Sequence, residues 1–184
     1  MTIITNKSII NYLDKFEVLI WDFDGVIVDS NEIRDNAFYF ALDSFDKSKV
    51  DVLLSYHRKN GGLSRYEKFD WFFSRFSISI TNNDKDLILK RFSDYCLSRI
   101  KDPQILNKQV LDVIKFFYKE NKIMYVASAS SNDELNLAAK NLKISNFFCG
   151  ILGSPRDKVE SVKQIKNSNK KNIDSDFILI GDAI

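Results

Sequence analysis

The sequence is poor in the residues that build disulfide frameworks, turns and linkers. Of its 184 residues only 2 are cysteine, 2 are proline and 6 are glycine. Cys96 and Cys149 lie far apart and lack metal-ligand spacing, which favours free thiols in a reducing compartment over a disulfide. The chain is 45% hydrophobic and 13% aromatic, which is too apolar for a disordered protein. We therefore expect a compact globular protein.

The sequence also lacks a large net charge and a long apolar run, and these two absences limit the expected binding partners and the cellular location. The formal charge is only +2, from 27 basic and 25 acidic residues mixed along the chain, so no basic surface suited to nucleic acid is expected. No apolar run reaches the ~18 residues that a membrane span requires, and the N-terminus lacks a signal-peptide pattern. These features predict a cytoplasmic protein that binds neither nucleic acid nor membranes, and they leave its oligomeric state open.

Three short apolar runs that end in polar residues predict buried parallel strands. They are residues 16–21 (FEVLIW), 123–127 (IMYVA) and 177–180 (FILI), and they lead to Asp22, Ser128 and Asp182. A weaker strand is predicted at 147–152, where Gly150 interrupts the run.

Helical patterns alternate with these strands, as a doubly wound α/β sheet requires. Ser131 and Glu134 form a capping-box pattern that predicts a helix after the second strand. Ser154 as N-cap, with Pro155 at the first helical position and Asp157 three residues after the cap, predicts another. We predict a Rossmann-like α/β core, with a parallel sheet covered by helices on both faces.

The stretch between the first two strands interrupts this alternation. It lacks a convincing strand pattern, but it contains two apolar stripes at helical spacing, and Ser64 with Glu67 forms a capping box before the first stripe. The stripes are Tyr66, Phe69, Phe73 and Phe76, then Leu87, Phe92, Cys96 and Ile100. We therefore predict a discontinuous core of residues 1–32 and 102–184 with a helical insert at residues 33–101.

The carboxyl ends of the predicted strands carry the chemically versatile residues, and ligands bind at this edge of an open α/β sheet. Asp22 and Asp24 are close enough to repel one another unless a cation or shared proton intervenes. Mg²⁺ fits, with Asp22 and Asp182 as ligands beside water and a phosphate oxygen. Asp22 would then act as a carboxylate nucleophile that forms an aspartyl-phosphate. Asp24 would transfer protons, which needs a pKa nearer neutrality than its usual ~3.9.

A transferring phosphoryl group also needs hydrogen-bond donors and a cation around its oxygens. The hydroxyl of Ser128 and the backbone amides of the turn formed by Ser128, Ala129 and Ser130 are suitable donors. Lys158 would neutralise both the phosphate and the attacking carboxylate.

The segments WDFDGVIVDS, VASASSND, GSPRDK and ILIGDA resemble, in order, the four motifs of the haloacid dehalogenase superfamily. The nearest likeness is to the phosphoglycolate phosphatase and β-phosphoglucomutase branch, whose helical cap lies between the first two motifs. This resemblance implies that residues 33–101 form such a cap. It also implies a nucleophile at Asp22, an acid/base at Asp24, a phosphate ligand at Ser128, the motif-three lysine at Lys158, and magnesium bound by Asp22, Asp182 and the backbone carbonyl of Asp24.

Two arginines bear on the substrate. Arg65, in GGLSR, matches a cap position that the resemblance associates with gripping the substrate, and its guanidinium suits a second anionic group; a plain surface arginine is the alternative. Arg34 stands where the mutase branch has a histidine, which favours a phosphatase, and Asp24 argues against dehalogenation. No step of the mechanism requires His57, the sole histidine.

The resemblance extends beyond the last residue, Ile184, to a second motif-four acid and a further helix, so we expect a truncated C-terminal end. The predicted function is a magnesium-dependent phosphatase for a small phosphorylated metabolite, either a sugar phosphate or a phosphoglycolate-like ester. A phosphomutase, and a catalytically silent member that binds a ligand or partner through the cap, remain as alternatives.

Overall fold

The computed structural model describes residues 6–169 and 176–182, which form eight α-helices and four β-strands. No helix in these two ranges is both long enough and apolar enough to cross a membrane. In chain order the elements are α1 (Asn6–Leu13), β1 (Val18–Trp21), α2 (Asn31–Ala41), α3 (Lys47–Lys59), α4 (Arg65–Arg75), α5 (Asn82–Arg99), α6 (Lys108–Lys119), β2 (Ile123–Ser131), α7 (Asn132–Asn141), β3 (Gly150–Ser154), α8 (Lys158–Ser168) and β4 (Phe177–Ile180).

The four strands form one parallel sheet in the order β3-β2-β1-β4. In register, Trp21 of β1 lies opposite Val126 of β2 and Ile180 of β4. All three strands therefore end at the same edge, with β1 in the centre. The α/β prediction is confirmed, and so are the three main strands.

Helices cover both faces of this sheet. Alternate strand residues point to opposite faces, and Leu19 and Trp21 belong to the large core that includes Leu135 of α7. Val18 and Ile20 face a smaller cluster that includes Ile165 of α8. The strands are thus apolar on both sides, which explains their continuous hydrophobic runs in the sequence.

Five α-helices, α2 to α6, lie between β1 and β2, and the first four of them, α2 to α5, occupy the stretch where the sequence predicts a helical insert. The capping box of Ser64 and Glu67 is present at the start of α4. Phe69 and Phe73 are buried as the first stripe predicts, and Phe92 and Cys96 are buried in α5. Leu87 is 56% exposed, however, because it lies off the buried face of α5.

Three local predictions were wrong. The weak strand at 147–152 begins only at Gly150 and runs to Ser154, and a short 3₁₀ turn occupies residues 145–147. Ser154 is therefore a strand residue, and α8 begins later, with Asp157 as the N-cap that accepts from the N–H of Glu160. Ser131 does precede α7, but its side chain makes no capping hydrogen bond. The capping box fails because Glu134 is engaged elsewhere, in buried ion pairs.

Candidate active site

A cavity of about 100 Å³ lies where the carboxyl ends of the strands face the helices α2 to α5. Every residue predicted for catalysis, substrate binding or metal binding lines it: Asp22, Asp24, Arg65, Ser128, Ala129, Lys158 and Asp182. Lys158 and Asp22, which are in contact, are 136 positions apart in the chain. The fold therefore assembles one site from all four sequence motifs.

Asp22 follows the last residue of β1, and its N–H donates to the carbonyl of Ile180 in β4 at 2.8 Å. The side chain is buried. Its Oδ1 accepts from the N–H of Phe23 at 2.8 Å, and its Oδ2 accepts from the ammonium of Lys158 at 2.5 Å. Burial raises the pKa of Asp22, and Lys158 opposes this rise. The lysine thus favours the ionised, nucleophilic form of the carboxyl group.

Asp24 is surrounded by donors. Its Oδ1 accepts from the hydroxyl of Ser30 at 2.5 Å and from Nε of Arg34 at 3.0 Å. Its Oδ2 accepts from the hydroxyl of Ser130 at 2.6 Å and from Nη2 of Arg34 at 3.3 Å. Burial raises the pKa of Asp24, but the charge of Arg34 and the hydroxyl donors outweigh burial, so the pKa is lowered overall.

The expectation of a pKa nearer neutrality for Asp24 was therefore wrong. It relied on repulsion from Asp22 and on burial, whereas the nearest charge is the guanidinium of Arg34. Ser30 directly precedes α2, but its side chain makes no capping hydrogen bond, and its hydroxyl donates to Asp24 instead.

Glu134 joins two arginines at the wall of the cavity. One carboxylate oxygen pairs with Nη1 of Arg34 in α2, and the other pairs with Nη1 of Arg65 in α4. The side chains of Arg34, Arg65 and Glu134 are only 8%, 9% and 3% exposed. Arg65 is therefore not a surface arginine, and its charge is already balanced by a core carboxylate.

The predicted phosphate donors line the same cavity as Asp22. Ser128 is fully buried in β2, and its Oγ accepts from the N–H of Ser130 at 3.1 Å. The carbonyl of Ala129 accepts from the hydroxyl of Ser154 at 3.0 Å, which fixes this turn against β3. Lys158 is the first residue of α8, so the start of that helix delivers its ammonium to the cavity.

The metal-binding prediction is compatible with the donors present. Asp182 follows β4, and a Cβ at Gly25, whose φ is 75°, would lie 2.0 Å from its Oδ2. Only a glycine lets that carboxylate approach so closely.

No group of three or more His, Cys, Asp or Glu side chains suited to a metal occurs within residues 6–169 and 176–182. Mg²⁺ needs only one or two carboxylates, because water and phosphate complete its shell, so Asp22 and Asp182 suffice. The expected continuation past Ile184 lies outside the described residues.

The sequence patterns assign no site role to Lys68, and they assign Glu134 only to a capping box. Lys68 of α4 is 3% exposed and lines the cavity with His57 of α3. A signal was present, because Lys68 lies three residues after Arg65 and four before Phe72, on the buried stripe of α4. Glu134 gave no such signal, since Ser-x-x-Glu before a helix is the usual capping-box pattern.

The burial of His57 makes the free energy of unfolding depend on pH, and this dependence can be measured. Burial and the charges of Lys68 and Arg34 lower its pKa to about 4, against the opposing effect of Asp35 and Asp24. Between pH 6.5 and pH 4 the unfolded chain binds a proton that the folded chain does not, so stability is lost as the pH falls through this window. The contribution is at most about 3 kcal/mol.

We expect the free energy of unfolding of the native chain to fall more steeply with acidification than that of His57→Gln. Urea denaturation followed by circular dichroism at several pH values measures both. Parallel curves for the two proteins over this window would contradict the burial of a neutral His57.

Comparison with known proteins agrees with this architecture. No protein-family model matches the sequence, and no curated protein sequence matches it. Among solved structures, β-phosphoglucomutase from Clostridium difficile superposes with a TM-score of 0.69 at 20% identity, covering 91% of this chain and 77% of that one. The chain has the haloacid dehalogenase fold. The resemblance carried by the four motifs is thereby confirmed at the level of the fold.

Two other solved structures give the same result. A predicted phosphoglycolate phosphatase from Haemophilus somnus has a TM-score of 0.69 at 15% identity, covering 91% of this chain and 77% of that one. An HAD-hydrolase from Bacillus subtilis has a TM-score of 0.61 at 14% identity, covering 92% of this chain and 81% of that one.

Proposed function

We propose that the protein is a magnesium-dependent phosphatase that hydrolyses a small phosphomonoester through an aspartyl-phosphate on Asp22. The observation that carries the proposal is the pairing of the buried Asp22 carboxylate with Lys158 in a cavity shared with Ser128 and Asp182. A carboxylate nucleophile needs a neighbouring cation to approach a phosphate dianion. Lys158 supplies that charge at hydrogen-bond distance from the attacking group.

In the first step an oxygen of Asp22 attacks phosphorus while the bond to the ester oxygen breaks, and the departing oxygen takes a proton from Asp24. In the second step water attacks phosphorus and gives a proton to Asp24, while the bond between phosphorus and the Asp22 oxygen breaks, which releases inorganic phosphate and restores the Asp22 carboxylate. Because Arg34 favours the ionised form of Asp24, the arrangement described here suits the second step. The first step requires Asp24 to be protonated, which the pairing with Arg34 disfavours.

Magnesium would be held by Asp22, Asp182 and the backbone of Asp24. When bound, the ion offsets the negative charge shared by the phosphoryl group and the carboxylates. The proposal is supported by the hard oxygen donors at the ends of β1 and β4. It is also supported by the magnesium-bound state of the Bacillus subtilis structural neighbour.

Residues 33–101 would act as a cap that closes over a core made of residues 1–32 and 102–184. The buried pairs from Glu134 of α7 to Arg34 and Arg65 of the cap segment support a closed arrangement. Closure would exclude water from the first displacement. The small cavity favours a metabolite such as a sugar phosphate or a phosphoglycolate-like ester, and the names of two structural neighbours point to the same class.

One observation favours a second candidate, a catalytically silent protein that binds phosphorylated ligands. Asp24, the proposed acid/base, has both oxygens engaged by Arg34 and two serine hydroxyls. A permanent pairing would leave the protein able to bind phosphate and unable to turn it over.

Phosphate release separates these functions. The purified protein is incubated with p-nitrophenyl phosphate and a panel of phosphate esters, in Mg²⁺ and in EDTA. Release that requires Mg²⁺ supports the phosphatase. Interconversion of sugar-phosphate isomers without net release indicates a phosphomutase. Binding of phosphate esters with no turnover under any condition overturns the phosphatase and leaves the silent ligand-binding protein.

A further inference from the structure

Three ion pairs join residues 33–101 to the rest of the described chain, and two of them share one carboxylate. Glu134 of α7 pairs with Arg34 of α2 and with Arg65 of α4, while Arg34 also pairs with Asp24. Arg34 lies in the first turn of α2, and Arg65 is the first residue of α4. Glu134 therefore ties two separate helices of the proposed cap to one helix of the core.

The helices of the proposed cap pack mainly against one another. α2 packs against α5 and α3, and α3 packs against α4, while α5 contacts α7 of the core. Helices that form one packed group can move together about the segments that connect them to the rest of the protein. The ion pairs of Glu134 are therefore placed where such a movement would begin.

The pair between Glu134 and Arg65 is maintained at a cost in hydration. The two side chains are only 3% and 9% exposed, so both charges have lost most of their contact with water. Nε of Arg65 is buried and has no hydrogen-bond partner among the described residues. If α4 moved away from α7, water would satisfy that donor and both charges. Part of the energy lost on breaking the pair would thus be recovered, which suits a contact that opens and closes.

The size of the cavity makes such an opening necessary for catalysis. Its volume of about 100 Å³ is below the ~300 Å³ at which ligand pockets usually begin. A phosphate ester can therefore reach Asp22 only after the cap has moved. Whatever holds the cap closed controls access to the nucleophile.

We propose that Glu134 is an ionic latch that keeps the cap closed before a substrate enters, and that the cap opens when the pair between Glu134 and Arg65 breaks. Arg34 keeps Asp24 as a partner during opening, so the start of α2 stays attached while α4 swings away. This inference rests on the proposed role of residues 33–101 as a cap, and it adds a closed resting state that restrains the enzyme.

Cys96 provides a probe of cap opening that needs no substrate. Cys96 is fully buried in α5, whereas Cys149 is exposed. Burial raises the pKa of the Cys96 thiol to about 12, and the charges of Arg34 and Glu134 also act on this thiol, so it lies beside the latch. A Cys149→Ser chain leaves Cys96 as the sole thiol. Its alkylation by iodoacetamide, followed by mass spectrometry, measures how often the cap opens.

Four chains are compared in this Cys149→Ser background, without denaturant and without substrate. They are the background chain, Glu134→Gln, Glu134→Gln combined with Arg65→Met, and the control Glu160→Gln, which changes an exposed glutamate of α8. The background chain should react at least about 100-fold more slowly than the same chain unfolded in urea. Glu134→Gln should react at least about 10-fold faster than the background chain, and Glu160→Gln should match it.

The double variant separates a latch from a general loss of stability. Because it leaves no unpaired charge beside Glu134→Gln, it should regain much of the resistance to urea, yet its Cys96 should stay at least about 10-fold more reactive than in the background chain. A double variant that regains both the stability and the slow alkylation overturns the latch. Equal rates in all four chains overturn it as well, and so does a background chain that reacts as fast as the unfolded one.

Phosphate release is measured separately on the same chains. Alkylation rates in the expected order without hydrolysis of any ester support the latch and reject the phosphatase. Hydrolysis that requires Mg²⁺, with alkylation rates that ignore Glu134, rejects the latch and leaves the phosphatase.

Discussion

Asp22→Asn is expected to lower kcat for any phosphate ester by at least about 10³-fold, or about 4 kcal/mol in the barrier. The amide of asparagine is close in shape to the carboxylate and can still accept from the N–H of Phe23 through its oxygen. It cannot form an acyl phosphate, because it lacks the anionic oxygen that attacks phosphorus. Phosphate release under saturating substrate and Mg²⁺ measures the effect, and acid quenching followed by mass spectrometry detects the phosphorylated native chain.

Asp112→Asn provides the matched control for this prediction. Asp112 is an exposed residue of α6 that does not line the cavity, and the substitution makes the same change of charge. We expect its turnover to equal that of the native chain. Comparable activity in Asp22→Asn, with both variants folded by circular dichroism, would reject Asp22 as the nucleophile.

Glu134→Gln is expected to destabilise the fold by about 3–5 kcal/mol, as breaking a buried ion pair from one side does. Arg34 keeps Asp24 as a partner, but Arg65 loses its only carboxylate within the described residues while its side chain remains 9% exposed. Urea denaturation monitored by tryptophan fluorescence measures the loss.

Two further variants separate the ion pair from other effects of this substitution. Glu160 occupies the same third position of α8 that Glu134 occupies in α7, but Glu160 is exposed. Glu160→Gln should change stability by no more than about 0.5 kcal/mol. Combining Glu134→Gln with Arg65→Met should recover much of the loss, because no buried charge is then left unpaired on that side. A loss of equal size at both glutamates would contradict the ion-pair account.

The strands and the positions of the motif residues could be predicted because both depend on local sequence. A run such as FEVLIW is apolar enough to be buried on both faces, and Asp22 directly after it must lie at the strand's carboxyl end. Parallel pairing then places Asp22, Ser128 and Asp182 at one edge. The sequence was therefore sufficient to predict which residues lie at the same edge of the sheet, but not the distances between their side chains.

The electrostatics of the site could not be predicted in the same way. Whether the pKa of Asp24 rises or falls depends on which charge lies nearest, and Arg34 reaches it from a helix whose packing no local pattern specifies. Glu134 was assigned to a capping box because its spacing fits one, but two arginines from α2 and α4 compete for the same carboxylate. Lys68 was missed although its position on the buried stripe of α4 is a local signal, because long side chains at such positions commonly keep their charged ends in water.

The wide separation in sequence of the groups around Asp22 also has a consequence for how the protein becomes active during folding. Lys158 is 136 positions from Asp22, Ser130 is 106 positions from Asp24, and the carbonyl that anchors Asp22 comes from Ile180 in the last strand. Contacts of such long range form late, after the loops between them have closed. A partly folded chain would hold Asp22 without its neutralising lysine and without the walls of the cavity. The proposed attack on phosphate esters would therefore begin only once β4 has joined the sheet, and the onset of activity would report completed folding.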